Sequence, residues 1–261
     1  MPGMDTRTAE ILSAATAEFY RRQATSFSAT RHAPWRGWVR VLDGLEDALP
    51  AHAAVLDVAC GNLRFERYLA ERFPQVALRT DAVDSCAPLV GCAPAGVIYR
   101  EADILAALER GNLDEALPVG PYDLVACFGF FHHVPGFDAR ASLLSALASR
   151  LAPQGRLAIS FWQFMKSPEL ALKARESHAR GLEMLGRRGL AASQLDEGDW
   201  LLGWQDVSDA FRYCHHFTSG EVDELLQASG LGKRVVDRFE ADGRTSNLNA
   251  YLVIGGTDAI S

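Results

Sequence analysis

Hydrophobic positions change rhythm several times along the chain, and each change predicts an element. Apolar runs at Val55–Val58, Val76–Val83, Val97–Tyr99, Tyr122–Cys127 and Arg156–Phe161 have the length and β-branched content of buried strands. Between them the spacing becomes helical, from Leu63 to Leu69 and from Leu143 to Leu151, with Ala152–Gly155 as a short loop before the fifth strand. Strand alternating with helix is the pattern of an α/β fold, a parallel sheet with helices on both faces. Two amphipathic helices precede it. One runs from Thr6 to Gln23 on Ile11, Leu12, Ala15 and Phe19 behind an Asp5 cap, the other from Trp35 to Leu49 on Trp38, Leu42, Leu45 and Leu49. An ordered loop, Ser26–Trp35, joins them and carries Arg31.

After the fifth strand, Ser167–Gly198 reads as a helical insertion. Leu170, Ala174, Leu182 and Leu185 form its packing face, and Arg175, Arg180, Arg187 and Arg188 are left for solvent or a polyanion. A short strand is expected near Phe211. Thr218 or Ser219, with Glu221 following, then caps a helix through Val222, Leu225 and Leu226. Asn247–Ile254 is a last strand, expected to pair antiparallel at an edge or beside the fifth.

Composition narrows the function classes. The 261 residues are 48% hydrophobic, enough for one substantial core. A net charge of −7 argues against nonspecific adhesion to nucleic acid or anionic membrane, although local arginines remain able to touch RNA. Cys60, Cys86, Cys92, Cys127 and Cys214 form no C-x-x-C pair, so no structural zinc is implied, and buried thiols in a reducing cytoplasm are expected. No apolar run approaches the roughly eighteen residues that span a bilayer, and no membrane partner is expected.

The candidate chemistry begins at Val55–Leu69, VLDVACGNLRFERYL, where a strand meets Asp57, turns through small residues and enters a helix. The helix N-terminus directs free N–H groups and partial positive charge into the space above the strand. The turn lacks both the G-x-x-x-x-G-K-S/T of a phosphate loop and the G-x-G-x-x-G of a dinucleotide site. Asp84 ends the second strand, placed to accept from a ribose diol, and Asp103 follows the third, where it could accept from an adenine amino group while Ile104 packs on the ring. Either acid could instead be a helix cap. At the fourth strand's carboxyl end, Cys127 and Phe128 lead into GFFHHVP, where aromatics can wall a pocket. There His132 or His133 could donate to an anionic oxygen or serve as a base.

Asp57-x-Ala59-x-Gly61-x-Leu63 resembles the first motif of class I methyltransferases, D-x-G-x-G-x-G, with Ala59 and Leu63 in place of two glycines. SFSATRHAPW, VLDVACGN, FFHHV, ISFW, GDWLLGW and RYCHHFTSGEV together resemble the tRNA wobble-uridine carboxyl methyltransferases, which convert 5-carboxymethyluridine to its methyl ester. The resemblance implies a class I (Rossmann-like) methyltransferase fold, a seven-stranded, mostly parallel sheet with a helical insertion after the fifth strand. It implies a single domain over 1–261, with N-terminal helices at 1–50, a cofactor-binding core at 51–161, a substrate cover at 167–210 and a strand–helix–strand unit at 211–261. S-adenosylmethionine would be held by Asp57, Ala59, Gly61, Asp84, Asp103, Ile104, Cys127 and Phe128, and the acceptor by Arg31, His132 or His133, and Arg212. The implied partner is a tRNA anticodon loop; eukaryotic members also work with a small zinc-containing activator subunit. A small-molecule O- or carboxyl methyltransferase would share every core residue. A silent, methyltransferase-like binding protein is a third reading, resting on Leu63, which is expected to shift the methionine moiety or relax the positive-φ turn.

Overall fold

The computed structural model describes residues 3–204, 207–243 and 247–257. The described elements are α1 (Thr6–Ser28), α2 (Arg36–Asp43), β1 (His52–Val58), α3 (Arg64–Arg72), β2 (Ala77–Asp84), α4 (Ala87–Val90), β3 (Val97–Glu101), α5 (Ile104–Arg110), α6 (Leu113–Ala116) and β4 (Tyr122–Cys127). They continue with α7 (Phe137–Ala148), β5 (Leu151–Trp162), α8 (Pro168–Gly186), β6 (Asp199–Trp204), β7 (Val207–His215), α9 (Ser219–Ala228), β8 (Val235–Ala241) and β9 (Asn249–Gly255).

Seven strands form one sheet in the order β3-β2-β1-β4-β5-β9-β8. Pairing is parallel from β3 to β5, and β9 runs antiparallel between β5 and β8. This is the expected seven-stranded, mostly parallel α/β sheet. Because successive strand residues face opposite sides, each central strand feeds two cores. Leu56, Val58, Val125, Cys127, Leu157 and Ile159 pack with α7 and α9 on one face, through Leu143, Leu147, Val222 and Leu225. Val55, Leu124, Ala126 and Ala158 pack on the other with Trp38 and Leu42 of α2 and Phe65 and Leu69 of α3. Strand order reverses between β1 and β4, which opens the crevice where α/β sheets bind ligands.

Five local readings change. Helix α1 continues to Ser28, so residues 26–28 are helical rather than loop, and α2 ends at Asp43, short of Leu49. The expected loop at Ala152–Gly155 belongs to β5, which starts at Leu151, pairs with Tyr122 and crosses a register irregularity before Arg156. Strand β8 was not anticipated: it is an edge strand with alternating partial exposure, so VVDRFEA carries little apolar signal. The strand containing Phe211 starts at Val207 and pairs with β6 in a separate two-stranded sheet, so a boundary between 210 and 211 falls inside β7. Helix α8 supplies the expected helical insertion and packs on β6, where Ser177 Oγ donates to the Leu201 carbonyl at 2.8 Å.

Candidate active site

The carboxyl ends of β1, β2 and β4 and the C-terminal half of α1 enclose a cavity of about 490 Å³. Its floor is the turn after β1. Ala59, Gly61 and Leu63 all take left-handed φ, at 63°, 56° and 57°. The expectation that Leu63 would relax the turn or displace a ligand is therefore corrected. Leu63 keeps the conformation, is fully buried, and packs with Cys60, Ala82 and Val90 rather than lining the cavity. A non-glycine residue in this conformation costs roughly 1–2 kcal/mol, which burial of the leucine side chain, worth about 1.5–3 kcal/mol, offsets. At Gly61 a Cβ would meet nothing within 4 Å, so the backbone here is open to a ligand.

Asp57, Asp84, Asp103, Ile104, Ala59 and Phe128 line the cavity with Gly61. Asp84 accepts from the Gly61 N–H at 2.9 Å and the Cys86 N–H at 2.8 Å, which ties the two strand ends together; burial pushes its carboxyl above the usual range. Asp103 is also the N-cap of α5, accepting from the Ala106 N–H at 3.0 Å, so the capping and ligand-facing readings coexist. Cys127 is a correction: alternation along β4 turns it into the α7-side core, and it does not line the cavity. Sequence reasoning passed over Glu66, which sits buried in the first turn of α3 with both carboxylate oxygens lacking a hydrogen-bond donor.

The opposite wall is built from distant segments. Tyr20, Phe27 and Arg31 of the N-terminal region line the cavity with His133. The Tyr20 hydroxyl lies 2.8 Å from His133 Nε2, and His133 Nδ1 lies 2.7 Å from the Tyr213 carbonyl. A carbonyl only accepts, so Nδ1 carries the hydrogen and Nε2 accepts from Tyr20. Burial pushes the His133 pKa down to about 3 and holds His132 well below its ordinary value, so both rings are neutral at pH 7. His133 therefore braces Tyr20. His132 packs at a tilt against Trp162, ring centres 5.0 Å apart, and stands behind the wall, outside the cavity lining. His132, His133 and Cys214 bring one metal-ligand atom each within 4.8 Å of one another, but both nitrogens of His133 are already engaged.

Arg31 lies 4.6 Å from the Phe27 ring and 5.9 Å from Trp204, while Arg212 lies 4.7 Å from Phe19 and 5.6 Å from the same Trp204. Arg31 donates to the Thr30 hydroxyl and Arg212 to the Gly203 carbonyl. Neither makes an ion pair among the described residues. Arg212 is buried behind Trp204 rather than lining the cavity. Tyr20, Phe27 and Trp204 could not be singled out beforehand, because each fits the apolar pattern of its own element. Asn62 joins the two walls by donating to the Arg31 carbonyl at 3.0 Å.

Open backbone at Gly61, acids at three successive strand ends and Phe128 beside them fit S-adenosylmethionine: Asp84 can take the ribose diol, Asp103 the adenine amino group and Asp57 the methionyl ammonium. The comparisons agree. Part of the chain, 145 residues or 56% of it, is 28% identical to 19% of the tRNA (carboxymethyluridine(34)-5-O)-methyltransferase ALKBH8 of Mus musculus, so the match spans about a fifth of that relative. Among solved structures, the 1,6-didemethyltoxoflavin-N1-methyltransferase of Burkholderia thailandensis, with bound S-adenosylhomocysteine, superposes with a TM-score of 0.57 at 19% identity over 96% of this chain and 89% of that one. A SAM-dependent methyltransferase of Methanosarcina mazei gives 0.54 at 15% identity, over 81% of this chain and 96% of that one. The sequence model of the methyltransferase domain matches residues 29–234, and the chain belongs to that family, as an enzyme that uses S-adenosylmethionine.

Proposed function

We propose that the enzyme methylates a carboxylate, and that the carboxylate is carried by a wobble uridine in the anticodon loop of tRNA. The observation that carries this reading is the pair of guanidinium groups sharing Trp204. Burial, and after it the nearby Arg212 charge, pushes the Arg31 guanidinium below its ordinary range, and no acid is paired to either arginine among the described residues. Two cations held together without an anion are a site made for one, and a guanidinium fork binds a carboxylate bidentately. The partial likeness to the mouse tRNA methyltransferase supports the nucleoside.

The cofactor supplies an electrophilic methyl group. The acceptor carboxylate is already ionised at neutral pH, so the chain's task is to place one of its oxygens in line and exclude water. Arg31, which lines the cavity, orients the carboxylate, Arg212 adds positive charge from behind Trp204, Phe27 offers a face for the ring that bears the carboxylate, and Tyr20 is fixed by His133. Because the carboxylate loses charge in the transition state, these contacts must position more than they stabilise. No general base is required.

Nucleoside mass spectrometry of tRNA from cells with and without the gene tests the reading. Loss of a methyl ester from a wobble uridine is expected; an unchanged profile, with activity on a small carboxylic acid instead, gives the site to a metabolite. One observation favours that second reading. Arg187 pairs with Glu183 and Arg188 with Glu18, so part of the α8 arginine face is already neutralised.

A further inference from the structure

The acids nearest the floor of the cavity make no ion pair among the described residues. Asp57 ends β1 at 3% exposure and lines the cavity, and Glu66 lies behind it in α3, also at 3%. Neither Glu66 oxygen meets a donor among the described residues. The groups acting on the pair are Asp84 at the end of β2, Cys60 in the turn, Cys127 on β4 and Arg67 on α3. Of these only Arg67 is cationic; it is exposed and directs its guanidinium to the Asn62 carbonyl. Two carboxylates desolvated side by side cannot both be ionised, because each disfavours the charge of the other.

We propose that Glu66 and Asp57 share a proton in the free enzyme and release it when the cationic end of the cofactor enters, so that S-adenosylmethionine binding is proton-coupled. Glu66 is then a positioning residue that acts through Asp57. In the free protein the shared proton bridges the two carboxyls, which accounts for oxygens without any other donor. When the methionyl ammonium approaches Asp57, its positive charge replaces the proton: the O–H bond breaks, the proton goes to solvent, and the carboxylate accepts from the ammonium N–H. Burial pushes Glu66 up to about 7, and burial together with the neighbouring Glu66 pushes Asp57 well above its ordinary range, so the free pair keeps a proton at pH 6. Wherever the free pair keeps that proton, binding must expel it, and affinity rises with pH until it is already gone. The inference rests on the cofactor and not on the identity of the acceptor, so an error in one leaves the other standing.

Isothermal titration of the whole enzyme with S-adenosylhomocysteine, which keeps the ammonium, tests it. Repeating the titration at pH 6.0 in buffers of different ionisation enthalpy counts the protons released. Release of close to one proton is expected, with a dissociation constant that falls about tenfold from pH 5.5 to 6.5 and levels off once the free pair has lost the proton. Glu66→Gln keeps the shape and can donate to Asp57, which becomes an ordinary ionised carboxylate. That variant should bind without proton release and with a flat pH profile. Wild-type binding that releases no proton would overturn the proposal, as would a Glu66→Gln protein that keeps both the release and the slope. If the variant does not fold, the wild-type proton count alone decides.

Discussion

The two walls of the cavity were made in different ways. The cofactor wall comes from one stretch of chain, Asp57 to Ile104, where each acid follows a strand and parallel β1–β2–β3 pairing brings the strand ends together. The proposed acceptor wall comes from α1 and the turn after β4, backed by the β6–β7 sheet; its key hydrogen bond joins Tyr20 to His133, 113 residues apart. The cofactor wall is therefore fixed by the sheet itself, whereas the acceptor wall depends on how the insertion docks on α1. Tyr213 N–H donating to Thr16 Oγ1 at 3.1 Å is part of that docking. A shared cofactor can be kept while acceptors diversify when the two walls are built independently.

If the walls are separable, damage to one should leave the other's readout intact. The largest effect is expected on the acceptor side. Arg31→Ala should lower methyl transfer on the order of a hundredfold, the loss of one charged contact worth about 2–3 kcal/mol. Affinity for S-adenosylhomocysteine by calorimetry should hardly change. A parallel fall in cofactor affinity would show that the walls are coupled through Trp204. Asp84→Ala is the reciprocal experiment: cofactor binding should weaken by about 1.5–3 kcal/mol. The loss includes slackening of the turn, since Asp84 also holds the Gly61 N–H.

The next effect separates the walls by pH. His133 is neutral when folded down to about pH 3, whereas an unfolded histidine titrates near 6.5. Between those values the unfolded chain binds the extra proton, so this residue's contribution to stability is full above pH 6.5 and is lost as pH falls towards 3. Glu66, raised to about 7, acts in the opposite sense, favouring the folded state at lower pH. Only the difference between wild type and a variant isolates either. His133→Asn should flatten the acid limb of denaturant-derived stability by up to about 1.4 kcal/mol per pH unit, while leaving the pH dependence of cofactor binding in place.

The same contrast explains what could be read in the sequence. The strands, the turn at Gly61 and the acids at 57, 84 and 103 were legible because period-2 patterning and a strand-to-helix turn are local signals. Cys127 was misassigned because alternation fixes a side chain's face only once the strand's register is known, and β4 turns it into the core. The aromatic half of the proposed acceptor wall was illegible for a different reason: Tyr20 and Phe27 share one helix with the apolar stripe of Leu12, Ala15 and Phe19 that packs it. Only the partner element shows which of them faces a ligand. Glu66 reads as an ordinary polar helix position until its burial is seen.

The smallest effect tests whether the cofactor turn is tuned or merely tolerated. Ala59 and Leu63 share one backbone conformation but not one environment: Ala59 borders the cavity, whereas Leu63 is fully buried against Cys60, Ala82 and Val90. Leu63→Gly relieves left-handed strain but forfeits a packed side chain, so it should destabilise the fold by about 1–2 kcal/mol. Ala59→Gly relieves similar strain and loses only a methyl group, set against the extra freedom glycine brings to the unfolded chain. A net gain of about 0.5 kcal/mol in chemical denaturation is expected. Opposite signs at two residues with the same φ would show that the leucine is held there by the core behind the turn. A loss at both would mean instead that the alanine methyl group is itself a contact the cavity floor requires.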